Sequence, residues 1–480
     1  IQAVREAVSP IRLLAEQAFS RTAGAPLIPQ NSIRLLRNAE ENYPAWIDAI
    51  RSAQRTIHFE TYILNADKIG TEFAQLLEAK AREGVRVRLI YDWFGARGAS
   101  SFLFWRRLRK AGVDVRSFNP PRFYDPLGFL SRDHRKVITV DGRIGFVSGL
   151  CVGQSWVGNP QKGVAPWRDT GVQIEGPAVV ELDRVFARMW NSMAPSDAIP
   201  CEPFDRSPAP YAGDVALRIV ASEPSTARLY RLDLLIAALA RKSIWLTDAY
   251  FLGTPPYLQS LRAAAFDGVD VRLLVPRTSD IPIIRALSRV GYRTLLEAGV
   301  RIFEWNGSML HAKTAVADGR WARVGSTNLN LASWVTNYEL DVVVEDEAFA
   351  QSMKEMYLDD LAQSSEIVLS KSAKVRPIEP RKRRDRPRGS ARGSAGRAAT
   401  GVLAIGSTVG VAMTSSRLLG PAEAPIMIPM ALVLLGLATL AIFFPHAVSI
   451  TVAICCGWAA MTLLIKGLRL LFPRKRSPLP

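Results

Sequence analysis

Much of the chain is written twice. "TIHFETYIL" (56–64) is echoed by "SIWLTDAYFL" (243–252), "GVRVRLIYD" (84–92) by "GVDVRLLVP" (268–276), and "AGVDVRSFN" (111–119) by "AGVRIFEWN" (298–306). Between these strand-like pieces lie "GTEFAQLLEAKARE" (70–83) and "PYLQSLRAAAFD" (256–267), in which apolar residues recur at the three- and four-residue intervals of an amphipathic helix. Strand, helix, strand, helix, strand implies a parallel sheet covered by helices. Spelled out twice, it predicts a duplicated α/β fold, one half over 31–205 and the other over 206–370, behind an N-terminal amphipathic segment at 1–30.

The repeat carries chemistry at matching places. "DHRKVITVDGRIGFVSG" (133–149) and "HAKTAVADGRWARVGSTNLN" (311–330) both read His, one residue, Lys, four residues, Asp: His134, Lys136 and Asp141, then His311, Lys313 and Asp318. A His and a Lys two apart on an extended strand leave from one face, so an imidazole and an ammonium converge on one anion. Asp-Gly closes a hairpin in each copy, and the returning strand brings small residues, Ser148 and Gly149 or Gly325 and Ser326, beside the pair. One copy would be hard to tell from an ordinary hairpin with a polar His; two copies in register are not. Two histidines offer one neutral imidazole to attack phosphorus and one charged imidazole to protonate the leaving oxygen, while the lysines offset developing charge. No His, Cys or carboxylate spacing suggests a metal, and no cofactor is expected. Of the other two histidines, His58 sits in an apolar strand and His446 between apolar runs, and both are read as structural.

Composition matters here mainly through where the charge lies. The net charge is +17, but residues 371–480 hold 17 Lys and Arg against 3 acidic residues, which leaves about +3 for the body. That distribution argues against a nucleic-acid partner. Residues 371–398, rich in Arg, Pro, Gly and Ser, read as a disordered basic linker. Within a membrane-anchor region at 399–480, the uncharged runs 426–444 and 447–465 have the length of bilayer spans, and 398–413 is a weaker apolar segment. Two spans return both basic flanks to the cytoplasmic side, as the positive-inside rule prefers. The four cysteines, Cys151, Cys201, Cys455 and Cys456, form no metal or disulfide framework, and the opening residues lack the apolar core of a signal peptide.

With these residues in view, the paired motifs resemble the phospholipase D superfamily, and the flanking text is similar to bacterial cardiolipin synthases from about residue 33 to residue 366. Besides the motifs, the resemblance rests on "ETYIL", "GVRVRLIYDWFG", "WRDTGVQIEGPAV" (167–179) and "GSTNLNLASWVTNYELDVVVED" (325–346). It implies two tandem phospholipase D-like α/β/α sandwich halves forming one active site, and the two apolar runs add a C-terminal transmembrane helical hairpin after them. It further implies a two-step phosphatidyl transfer through a phosphohistidine, with phosphatidylglycerol and a second lipid alcohol as substrates and the bacterial inner membrane as the location, the body facing the cytoplasm. On this resemblance His134 is the nucleophile, His311 the acid and then base, and Asp169 and Glu339 are the carboxylates that orient the histidines. Ser148, Gly149, Ser326 and Asn328 are expected beside the phosphate, and Asp141 and Asp318 are expected to secure the hairpins. Cys151 departs from the pattern, standing where the second half has Asn328; a thiol donates only weakly to a phosphate oxygen, and Cys151 is read as a small packed residue. A hydrolase releasing phosphatidic acid and a nuclease are the competing readings.

Overall fold

The computed structural model describes residues 10–121, 131–193, 201–202, 211–369 and 375–377, with scattered positions between 432 and 464. In the first half the strands are β1 (Ile28–Arg37), β2 (Thr56–Thr61), β3 (Arg86–Asp92), β4 (Asp114–Phe118), β5 (Val137–Val140), β6 (Ile144–Ser148) and β7 (Thr170–Glu175). In the second they are β8 (Val215–Ser222), β9 (Ser243–Thr247), β10 (Asp270–Pro276), β11 (Arg301–Trp305), β12 (Thr314–Ala317), β13 (Trp321–Gly325), β14 (Glu339–Val344), β15 (Ser364–Leu369) and β16 (Val375–Pro377).

The echoed segments are the parallel core of each half, β2-β3-β4 and β9-β10-β11. The hairpins β5-β6 and β12-β13 pair antiparallel beside them, so each sheet is mixed. The central strands of both halves are buried along their length, with polar side chains such as His58, Glu60, Glu339 and Asp341 buried among the apolar ones. Helices such as Lys68–Arg82 begin on a side-chain cap, here Asp67 accepting from the Gly70 amide at 3.0 Å, and pack their apolar stripe on the sheet.

The halves do not have separate sheets. β1 pairs with β7 through Ser32↔Glu175 to Arg37↔Thr170, and its first residues pair with β8 at Ile28↔Leu217 and Asn31↔Val215, which joins sixteen strands into one sheet. The buried Asn31 side chain bonds the carbonyls of Ile28 and Pro29 and the Ala178 amide where the register shifts. The boundary expected at residue 30 thus falls inside β1. A core cluster containing Val137, Val172 and Leu182 from one half and Leu217, Val324 and Met353 from the other packs the halves together.

Helix Pro10–Ala23 docks on the second half, with Glu16 on Arg218 at 2.7 Å. At the other end, residues 375–377 were expected in the disordered linker but form β16, paired antiparallel to β15 from Ile367↔Pro377 to Leu369↔Val375. An edge strand offers unpaired backbone groups to any neighbouring extended segment, whatever its composition. The rest of the linker, the segment 398–413, His446 and most of the two apolar runs lie outside the described residues. The positions described between 432 and 464 belong to a second compact unit, in which Leu432, Leu435, Ile442 and Phe443 are helical and exposed. Among the described residues no helix is long and apolar enough to cross a membrane.

Candidate active site

His134 and Lys136 lie on the extended stretch that enters β5, and His311 and Lys313 on the stretch that enters β12. Each stretch is pinned to the opposite half. The His134 amide donates to the Tyr338 carbonyl at 2.9 Å, and the His311 amide donates to the Arg168 carbonyl at 2.7 Å. The next residue along each partner is a carboxylate, so the pairing crosses: His134 Nδ1 meets Glu339 Oε2 at 2.9 Å, and His311 Nδ1 meets Asp169 Oδ2 at 2.7 Å. Neither of these two pairs has both its members in one half.

All six groups of this constellation are buried. Lys136 Nζ donates to the His134 carbonyl and lies 5.3 Å from the centre of the Tyr62 ring; Lys313 Nζ donates to the His311 carbonyl and lies 5.9 Å from that of Tyr250. Tyr62 and Tyr250 also stand edge-on to His134 and His311, at 5.0 and 5.9 Å. These two tyrosines went unassigned in the sequence, although the echo of "TYIL" in "AYFL" carries both.

Burial pushes the His311 imidazole down to about 3, with the Lys313 charge adding to it and Asp169 opposing. His134 is lowered by burial as well, against the pull of Glu339. Although burial works against it, Asp169 is held at about 2 by the His311 ring, the Lys313 charge and the Trp156 N–H, and His134 and Lys136 similarly hold Glu339 low. Near neutral pH, both carboxylates are ionised and both rings uncharged. A carboxylate facing Nδ1 places the ring proton there and leaves the Nε2 lone pair available for attack. Burial lowers Lys313 to about 8, with Lys136 adding to the effect.

The small residues at the hairpin ends do different work in the two halves. Ser326 Oγ donates to Glu339 Oε2 at 2.6 Å, so it holds a carboxylate, and Asn337 Nδ2 donates to the other oxygen at 3.2 Å. Its counterpart Gly149 has no hydroxyl, and a Cβ there would stand 2.1 Å from Asp169 Oδ1; the missing side chain is the room Asp169 occupies. Ser148 turns to the Leu150 carbonyl at 3.3 Å. Asn328 is buried, and its Oδ1 has no hydrogen-bond partner among the described residues. Cys151 is a core residue whose carbonyl accepts from the Tyr43 hydroxyl at 2.7 Å, and burial pushes its thiol up.

Asp141 and Asp318 do not join the His–Lys groups. Both have positive φ at their turns, +54° and +52°. Asp141 accepts the amides of Gln54, Arg55 and Thr56, and Asp318 those of Arg241, Lys242 and Ser243, so each carboxylate ties its hairpin to the start of β2 or β9. Asp141→Ala is therefore expected to cost about 1–3 kcal/mol of stability, seen as a lower melting temperature, because three amides lose their acceptor. His58, in β2, bonds Asp183 at 3.0 Å and stacks on Phe186, a packing role.

Arg168 was passed over in "WRDT" in favour of its neighbour. Its guanidinium clasps Asp360 of helix Glu347–Ala362 in a buried two-point pair at 2.8 and 2.9 Å, fixing the backbone that carries both Asp169 and the His311 contact. Among the described residues no group of three or more His, Cys, Asp or Glu stands together as metal ligands.

Known proteins resemble this chain over most of its length. The family model described as cardiolipin synthase, PLD-like domain, matches residues 46–190 and 235–361, one block in each half. A cardiolipin synthase of Staphylococcus aureus (strain Mu50 / ATCC 700699) is 33% identical over 353 residues, covering 72% of this chain and 71% of the relative. Cardiolipin synthase A of Pseudomonas fluorescens (strain SBW25) is 32% identical over 377 residues, covering 76% and 75%. In fold, the crystal structure of a phosphatidylserine synthase from Haemophilus influenzae Rd KW20 is similar with a TM-score of 0.59 at 14% identity, over 85% of this chain and 100% of that one. The chain belongs to the cardiolipin synthase family of phospholipase D-like proteins.

Proposed function

We propose that this protein transfers a phosphatidyl group from one phospholipid to the hydroxyl of another, most simply joining two phosphatidylglycerols into cardiolipin and glycerol. The crossed pairs of histidine and carboxylate, each beside a lysine, carry this reading. His134 Nε2 attacks phosphorus, the bond to the headgroup oxygen breaks, and His311 delivers a proton to that oxygen. His311 then takes the proton of the incoming hydroxyl, whose oxygen attacks phosphorus as the P–N bond to His134 breaks. Lys136, Lys313 and the Asn328 amide hold the non-bridging oxygens. Burial and, after it, the Lys313 charge keep His311 uncharged; a phosphodiester anion against the two lysines offsets the second of these and so favours the protonated ring.

The halves of this enzyme are assigned to residues 31–205 and 206–370. The runs 426–444 and 447–465 are assigned to a membrane hairpin, on the strength of nineteen uncharged residues in each, with the body on the cytoplasmic face of a bacterial inner membrane. A body tethered in this way meets lipid at high effective concentration.

Incubation with phosphatidylglycerol vesicles and mass spectrometry of the products tests the reaction. Cardiolipin and glycerol are expected; phosphatidic acid alone would identify a hydrolase, and cleavage of single-stranded DNA with lipid left intact would identify a nuclease. The rate should also fall on the alkaline side. Lys313 loses its charge as the pH rises past about 8, and with it part of its hold on the phosphate anion. An alkaline limb of kcat/KM is expected near that value. In Lys313→Arg, whose guanidinium stays charged, the limb should move out of range at whatever rate remains.

A further inference from the structure

Both halves repeat Ser-Trp-Val after the hairpin, as Ser155-Trp156-Val157 and Ser333-Trp334-Val335. Trp156 stands seven residues after Gly149, and Trp334 stands eight after the corresponding Ser326, so the second half has one residue more. That residue is taken up in a π-helical turn, Ala332–Thr336, where the first half has the short helix Gln154–Val157. The offset sends the two indoles to different places. Trp334 packs on Tyr230 and Tyr257, at 4.7 and 5.1 Å, and its buried Nε1 has no hydrogen-bond partner among the described residues.

Trp156 instead donates Nε1–H to Asp169 Oδ2 at 2.9 Å, the same oxygen that meets His311 Nδ1, and stands edge-on to the His311 ring at 5.6 Å. The Thr170 amide takes the other oxygen at 2.9 Å, which fixes the carboxylate in rotation. An indole N–H only donates, so it cannot swap roles with the imidazole. By drawing charge from Asp169 it also makes an imidazolium at His311 a readier proton donor. In the other pair the donor on the shared oxygen is a hydroxyl: Ser326 Oγ meets Glu339 Oε2 while also accepting from the Leu340 amide, and Asn337 takes Oε1, so no indole stands against His134 there.

We propose that Trp156 is the positioning residue of the proton-transfer step, holding Asp169, and through it His311, in line with the leaving oxygen. The proposal rests on His311 being the acid. Its test compares two donors in single-turnover headgroup release by the full-length protein: phosphatidylglycerol, whose alkoxide must be protonated, and phosphatidyl-p-nitrophenol, whose phenolate leaves unaided. Trp156→Phe should slow release from phosphatidylglycerol by about 10- to 100-fold and leave nitrophenolate release within about threefold, and Trp334→Phe should not separate the donors. Benzothienylalanine at 156, which keeps the shape of the indole without its N–H, should give the same split even where Phe disturbs folding. Equal losses on both donors, or none, would overturn the role given to Trp156. His311→Ala is the control on the underlying assignment: it should spare nitrophenolate release, and if it abolishes that release, His311 is not the acid and the proposal falls with the assignment.

Discussion

Replacing either His134 or His311 by asparagine lowers cardiolipin formation by at least about 10⁴-fold, and the double variant is little worse than either single one. The two imidazoles act in one displacement, so removing the second after the first has little left to remove. Asparagine keeps a polar side chain in each buried position, and the melting temperature is expected to stay near that of the parent, which separates lost chemistry from lost fold. Turnover with phosphatidylglycerol vesicles, read beside thermal unfolding, checks both parts. Retention of substantial activity in either variant would mean that the histidines are not the reacting groups.

The second large effect follows from the crossing of the carboxylates. Glu339→Gln and Asp169→Asn are each expected to cost about 10³- to 10⁴-fold, because an amide facing Nδ1 no longer selects the tautomer with a free Nε2 lone pair and no longer balances an imidazolium. The two variants fail at different steps. Glu339 lies in the second half but serves His134, so Glu339→Gln blocks nitrophenolate release from phosphatidyl-p-nitrophenol. Asp169 lies in the first half but serves His311, so Asp169→Asn spares that release and blocks transfer to the acceptor alcohol. Uncrossed pairing would give the opposite assignment of the two defects.

The parallel strands, the helices between them, and the His–Lys pairs were legible because each depends on residues close in sequence. A strand's alternation and a two-residue spacing are local properties, and the repeat showed that the spacing was not accidental. The crossing was not legible. "WRDT" and "NYEL" mark Asp169 and Glu339, yet nothing in either string says which histidine it faces; backbone contacts from His134 to Tyr338 and from His311 to Arg168 decide that. β1 was missed as the strand that joins the sheets, since its dual pairing depends on neighbours far along the chain. Turn chemistry identified Asp141 and Asp318 as hairpin residues, but the amides they accept belong to residues about eighty positions earlier. Trp156 and Trp334 stand in identical tripeptides, and a one-residue offset, invisible as a motif, gives one a carboxylate and the other a core.

Cys151, by contrast, was legible. It stands opposite Asn328 without an amide to donate and reads as a small packed residue, and the structure gives it packing and a carbonyl that anchors Tyr43.

The most direct measurement is to quench the enzyme during turnover of phosphatidyl-p-nitrophenol, with phosphatidylglycerol as the acceptor alcohol, and map the acid-labile adduct by mass spectrometry under conditions that preserve P–N bonds. A phosphatidyl group on His134, absent in Glu339→Gln and accumulating in Asp169→Asn, is expected of a single site built across the two halves. An adduct on His311, or transfer with no adduct on either histidine, would contradict it.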